Sequence, residues 1–152
     1  MKLDKDFREF VELLVANGVR FLVVGGYALA VHGYPRATVD IDAWVWSDPE
    51  NARRILACLD QFGFGGLDLS IEDFTTPDRV VQLGYPPFRI DIITSVSGVE
   101  FDAAWPNRVS VDLDGVRVPF IGRDDLITNK RATGRAKDLA DVDYLTRRPG
   151  TD

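Results

Sequence analysis

The sequence predicts a mixed α/β (α+β) fold, a mixed β-sheet flanked by helices. Three observations lead there. Segments of helical period alternate irregularly with short runs rich in β-branched residues. Two of those runs flank Asp114-Gly115, the dipeptide of a tight antiparallel hairpin. The chain has 152 residues, 45% of them hydrophobic and 28% charged, with no repeat, low-complexity run or linker, so residues 1–152 are expected to form a single domain.

Phe7, Phe10, Val11 and Leu14 recur at helical spacing, and Asn17-Gly18 supplies residue types that tolerate a left-handed cap, so a first helix ends there. Val19 to Val24 is a continuous apolar run too short for a core helix and reads as a buried strand stopping at Gly25-Gly26. Alanine-rich Tyr27 to His32 predicts a short helix before Gly33 and Pro35, and Val39 to Trp46 alternates as a strand does. Asp48 or Ser47 caps the next helix, with Pro49 in its first turn, Ile55, Leu56, Leu59 and Phe62 on its apolar face, and Gly63 to Gly66 ending it.

Residues 67–79 carry mixed signals and read as a short helix or an irregular loop. Val80 to Gly84 and Phe88 to Thr94 are strands joined through Tyr85-Pro86-Pro87, and Val99 to Trp105 is one or two helical turns. Arg108 to Leu113 and Val116 to Ile121 form the hairpin around Asp114-Gly115. Asp124 to Leu145 is helical with a break near Gly134, and Pro149-Gly150 frays into the terminus.

Asp and Glu number 24 against 18 Lys and Arg, a net charge of −6 that disfavours a broad nucleic-acid-coating surface and leaves room for a local basic cleft. Lys2, Lys5, Lys130 and Lys137 are the only lysines. The single cysteine, Cys58, lies in an amphipathic helical pattern and is expected in the core; no disulfide or cysteine zinc framework can be built. The charged start of the chain lacks a leader's apolar run, and no stretch approaches the roughly 18 apolar residues of a membrane span, so a cytoplasmic protein is expected.

The chemistry concentrates where acids interrupt apolar strands. Asp40 and Asp42, two apart on one strand, point to the same face, where their mutual repulsion costs stability unless a cation separates them. A hard divalent ion such as Mg²⁺ is the natural partner of two carboxylates. Asp91 repeats the pattern inside Phe88-Arg89-Ile90-Asp91-Ile92-Ile93; if its strand neighbours that of Asp40 and Asp42, the three form one cluster able to hold one or two Mg²⁺ ions. The competing reading is edge-strand aspartates facing solvent. Gly25-Gly26, between a buried strand and a helix, lets the backbone approach a ligand closely, although plain turns use the same pair. No dinucleotide or P-loop fingerprint is present.

Val23-Val24-Gly25-Gly26, then Asp40-Ile41-Asp42 and a later Ile90-Asp91-Ile92, resembles the signature of the nucleotidyltransferase fold superfamily. The block from Gly25 to Asp42 looks like the minimal bacterial nucleotidyltransferases related to AbiEii toxins, and Asn129-Lys130 with Gly134-Arg135-Ala136-Lys137-Asp138 is similar to that group's C-terminal motifs. The resemblance spans roughly residues 19–145 and implies a nucleotidyltransferase-like fold. It further implies transfer of a nucleoside monophosphate from a nucleoside triphosphate to an acceptor hydroxyl of RNA, protein or a small molecule, with Mg²⁺ or alternatively Mn²⁺ as cofactor. By the same resemblance Gly25 and Gly26 contact the triphosphate, Asp40, Asp42 and Asp91 bind metal, Asp91 assists deprotonation of the acceptor, and a cognate toxin or antitoxin is a partner. A degenerate member that binds nucleotide or protein without catalysis is the alternative.

Arg36 and Thr38 precede the acidic pair and either reach phosphate oxygens or, for Arg36, neutralise the carboxylates. Lys130, read as early in a helix where a cation is unfavourable without an anionic partner, is expected to bind phosphate. Arg135, Lys137, Asp138 and Asp141 sit at spacings that also give ordinary surface pairs, the reading favoured for most of them. His32, the sole histidine, is expected to close its helix or pack beside Tyr34, and Trp44, Trp46 and Trp105 to be core or interface residues in preference to base-stacking ones.

Overall fold

A computed structural model of the chain describes residues 3–34, 38–85 and 88–147. Helix α1 (Lys5–Ala16) opens on Asp4, whose carboxylate accepts the Asp6 N–H, and buries Phe7, Phe10, Val11 and Leu14 as one stripe. Strand β1 (Phe21–Val24) is buried on both faces. It is shorter than the apolar run suggests: the Val19 N–H goes to the Leu14 carbonyl and the Arg20 N–H to Asn51 Oδ1, which diverts both amide hydrogens from the sheet.

The short helix α2 (Gly25–Val31) begins two residues ahead of its expected start, on the glycine pair itself, and His32 closes it with a ring nitrogen 2.7 Å from the Ile121 carbonyl. Strand β2 (Asp40–Val45) leads to α3 (Pro49–Phe62), capped by Asp48 with Pro49 in the first turn and ended by Gly63 at φ 99°. Cys58 is in the core, as expected. Within the stretch that the sequence left unplaced lies one short 3₁₀ turn, Ile71–Phe74, and a second, Gly65–Leu67, ends at its start.

Strands β3 (Val80–Tyr85) and β4 (Phe88–Ile93) pair antiparallel, and one helical turn, α4 (Phe101–Ala104), precedes the hairpin of β5 (Val109–Leu113) and β6 (Val116–Phe120). Asp114 at φ 52° and Gly115 at φ 89° give that hairpin the two left-handed turn residues its twist requires. Helices α5 (Arg123–Thr133) and α6 (Ala136–Arg147) follow, broken as expected at Gly134.

The six strands form one mixed sheet in the order β3-β4-β2-β1-β6-β5. β2 is the pivot: it runs antiparallel to β1 on one side and parallel to β4 on the other. Among the described residues no helix is long and apolar enough to cross a membrane.

Candidate functional site

The register of the parallel pair decides which side chains meet. Asp40 lies opposite Arg89 and Asp42 opposite Asp91, so period-2 alternation puts all four on one face as two adjacent columns. Asp91 is buried, Asp40 and Asp42 partly so. The sequence expectation that Asp91 joins the acidic pair is met in space, and the solvent-facing edge reading fails because β2 and β4 are interior strands.

Arg89 is the residue that the sequence reading passed over. Its Nε donates to Asp91 Oδ1 at 3.0 Å, and one terminal nitrogen donates to Asp40 Oδ2 at 3.1 Å and Asp91 Oδ2 at 3.4 Å. The available signal was its position two residues before Asp91 on the same strand, the spacing already used to pair Asp40 with Asp42.

Asp42 receives no such help. Burial pushes its carboxyl up to about 7, and the charge of Asp91, a hydrogen bond with Asp91 and the charge of Asp40 push the same way against Arg89. Near neutral pH, then, the Asp42 carboxyl is poised to hold or release its proton.

The glycine pair is fixed by this geometry. Val24 pairs with Asp42 across β1 and β2, so Gly25 begins its turn against the Asp42 carboxylate, and a Cβ on Gly25 would collide with Asp42 Oδ2. Gly25 also holds φ 71°. A Cβ on Gly26 would lie 2.9 Å from Thr38 Oγ1. Gly25→Ala is therefore expected to lower stability by about 1–3 kcal/mol and displace Asp42; a chemical denaturation midpoint equal to that of the parent would show that the close approach is dispensable.

Gly25, Gly26, Leu29, Thr38, Val39, Asp40 and Asp42 line one side of a cleft of about 460 Å³, and Lys130, Arg135, Lys137 and Asp138 line the other. One wall is acidic and the facing wall mostly basic, an arrangement suited to a polyanion carrying a cation. Thr38 is at the cleft, its hydroxyl donating to the Asp40 carbonyl at 3.1 Å. Arg36 lies outside the described residues.

Lys130 corrects the sequence reading in two respects. It sits in the last turn of α5, where the helix dipole favours a cation, and it is buried between Asp138 Oδ1 and Asp141 Oδ2, each 3.1 Å from Nζ. Asp138 and Asp141 are likewise buried, so these are interior ion pairs and the expectation of surface pairing fails for both. Burial raises the Asp138 carboxyl, but hydrogen bonds from Thr133, Lys130 and Arg135 outweigh it and hold the group at about 2. Arg135 and Lys137 stay exposed at the cleft wall.

Trp44 is in the core, edge-on to Phe101, while Arg20 lies over Trp46 and Trp105 at 4.9 and 5.6 Å. None of the three tryptophans lines the cleft.

All donors offered by Asp40, Asp42 and Asp91 are hard carboxylate oxygens, and a divalent cation would offset both the burial and the neighbouring charges that raise Asp42, so the donor chemistry fits such an ion. Among the described residues no three His, Cys, Asp or Glu side chains are already placed to enclose one; Arg89 bridges Asp40 to Asp91 instead.

A family model described as Nucleotidyltransferase of unknown function (DUF6036) matches residues 1–146. The fold is similar to the crystal structure of TM1012 from Thermotoga maritima, a protein assigned as a nucleotidyltransferase, at 16% identity and a TM-score of 0.59, covering 93% of this chain and 91% of that one. It is also similar to the lincosamide antibiotic adenylyltransferase LnuA, solved with lincomycin bound, at 15% identity and a TM-score of 0.60, covering 95% of this chain and 97% of that one. No curated protein matches the sequence.

Proposed function

This chain belongs to the DUF6036 nucleotidyltransferase family, and we propose that it moves a nucleoside monophosphate from a nucleoside triphosphate to an acceptor hydroxyl with Mg²⁺ or Mn²⁺ as cofactor. The observation that carries this reading is the register of β2 against β4, which gathers Asp40, Asp42 and Asp91 on one face beside the Gly25-Gly26 turn.

Asp40, Asp42 and Asp91 would hold the cation, whose chemistry is to offset charge on the triphosphate and favour ionisation of the attacking hydroxyl. Gly25 and Gly26 bring backbone against the phosphates where any side chain would collide with Asp42 or Thr38. Arg135 and Lys137, exposed on the facing wall, neutralise the phosphate tail, with Lys130 lining the same wall while paired to Asp138 and Asp141, and Arg36 and Thr38 contributing from the segment before β2. Asp91 takes up the acceptor's proton, released as the new phosphorus–oxygen bond forms and pyrophosphate leaves.

The acceptor is RNA, protein or a small molecule; a small molecule has a precedent in LnuA. A setting in a toxin–antitoxin or phage-defence module follows from the likeness of the Gly25 to Asp42 block and the Lys130 to Asp138 segment to AbiEii-type proteins. Incubation of the protein with cell extract, Mg²⁺ and the four nucleoside triphosphates is expected to yield an acceptor heavier by one nucleotidyl residue, a nucleoside monophosphate less water, with stoichiometric pyrophosphate. Nucleotide binding by calorimetry without any such product would instead establish the non-catalytic alternative, which the Arg89 bridge across two of the three carboxylates favours.

A further inference from the structure

Arg89 stands in the carboxylate cluster. Across the parallel pair it faces Asp40, along its own strand it is followed at the same face by Asp91, and its donated side-chain hydrogen bonds go to those two acids alone among the described partners. On the other flank, β3 offers Gly84 opposite Arg89 and Gln82 opposite Asp91, so no acid there competes for the guanidinium. The result is a two-by-two grid of three carboxylates and one guanidinium, which bridges two of the three.

We propose that Arg89 is the resident counter-cation of the cluster: it holds Asp40 and Asp91 together in the metal-free protein and, by occupying that position, sets how tightly a divalent cation binds. The inference rests on the reading of Asp40, Asp42 and Asp91 as metal-holding residues and adds a positioning residue to it. The guanidinium already faces Asp40 Oδ2 and both oxygens of Asp91, so a divalent ion that takes those oxygens competes with it for them, and the Arg89 side chain, a third exposed, is the cation that gives way. The cluster in this design never carries three bare carboxylates, and the metal site opens only at cation concentrations that overcome the competitor.

Mn²⁺ titration at low ionic strength, followed by electron paramagnetic resonance of the free ion, tests this on the parent protein, Arg89→Gln and Arg89→Lys. Arg89→Gln is expected to bind Mn²⁺ about tenfold more tightly than the parent, and Arg89→Lys, which keeps the charge but loses the planar fork that spans both acids, to fall between the two. Equal or weaker binding by Arg89→Gln, with the parent binding normally, would overturn the competition and leave the metal site standing. No binding by any of the three would overturn both together.

The parent alone supplies an independent measurement should Arg89→Gln not fold. The Arg89 Nε–H signal is expected to exchange slowly with solvent without metal and at least about fivefold faster at saturating Mg²⁺, as its hydrogen bond to Asp91 is released. A signal that stays equally protected would overturn the proposal.

Discussion

Asp42→Asn is expected to abolish nucleotidyl transfer while raising the melting temperature of the metal-free protein at pH 8. The two effects share one cause. The Asp42 carboxyl moves from 3.8 to about 7 because it is buried against Asp91 and Asp40, so the folded protein binds that proton more tightly than the unfolded chain does. Stability from the protonated group is then fully present below about pH 4 and is lost as pH rises through about 7. The displacement sets a ceiling of about 4 kcal/mol on what ionised Asp42 costs the metal-free fold. Asparagine keeps the shape and removes the charge, so Asp42→Asn should flatten the pH 4–7 slope in thermal denaturation. Transfer should fall by more than about a hundredfold, since a lost ligand costs more than a lost supporting contact. A variant with parental turnover, or one whose stability falls with pH as steeply as the parent's, would remove Asp42 from the role assigned to it.

Lys130→Met is expected to be the most destabilising single change at the cleft, by about 3–5 kcal/mol. It leaves Asp138 and Asp141 buried at the α5–α6 junction without the amine that both engage at 3.1 Å. Arg135 partly compensates Asp138, with its Nε 2.7 Å from Oδ2, but the Arg135 side chain is largely exposed. Combining Lys130→Met with Asp138→Asn and Asp141→Asn should recover much of the loss, because a neutral cluster has no uncompensated charge to bury. Urea denaturation of the single and triple variants measures this, and a single variant as stable as the parent would show the pairs to be ornamental. The low value of Asp138, about 2, adds a second signature: its contribution is present above about pH 4 and lost as pH falls through about 2.

Local chemistry made most of the elements legible. Asp48 with Pro49, Asp114-Gly115 and Gly134 each act within a few residues, and each appears where the sequence placed it. Asp40 and Asp42 were legible for the same reason, since two acids on an apolar strand are a local anomaly. What stayed hidden depends on distant partners. β1 starts late because Asn51 takes the Arg20 N–H, whereas the place of Lys130 in the last turn follows from the stop at Gly134, a local signal that the sequence did contain. The pairs of Lys130 with Asp138 and Asp141 exist only once α6 folds back over α5. Arg89 became visible only through the register of β4 beside β2.

That register has a temporal side. Asp40 and Arg89 are 49 residues apart, and the strands that carry them run parallel, so their pairing requires closure of a long loop that no local turn can nucleate. The β5–β6 hairpin, joined by two turn residues, has no such obstacle. Cation binding at the carboxylate face should consequently be among the last properties to return on refolding, after helical signal and hairpin contacts have recovered, and its return marks the moment at which the chain becomes competent.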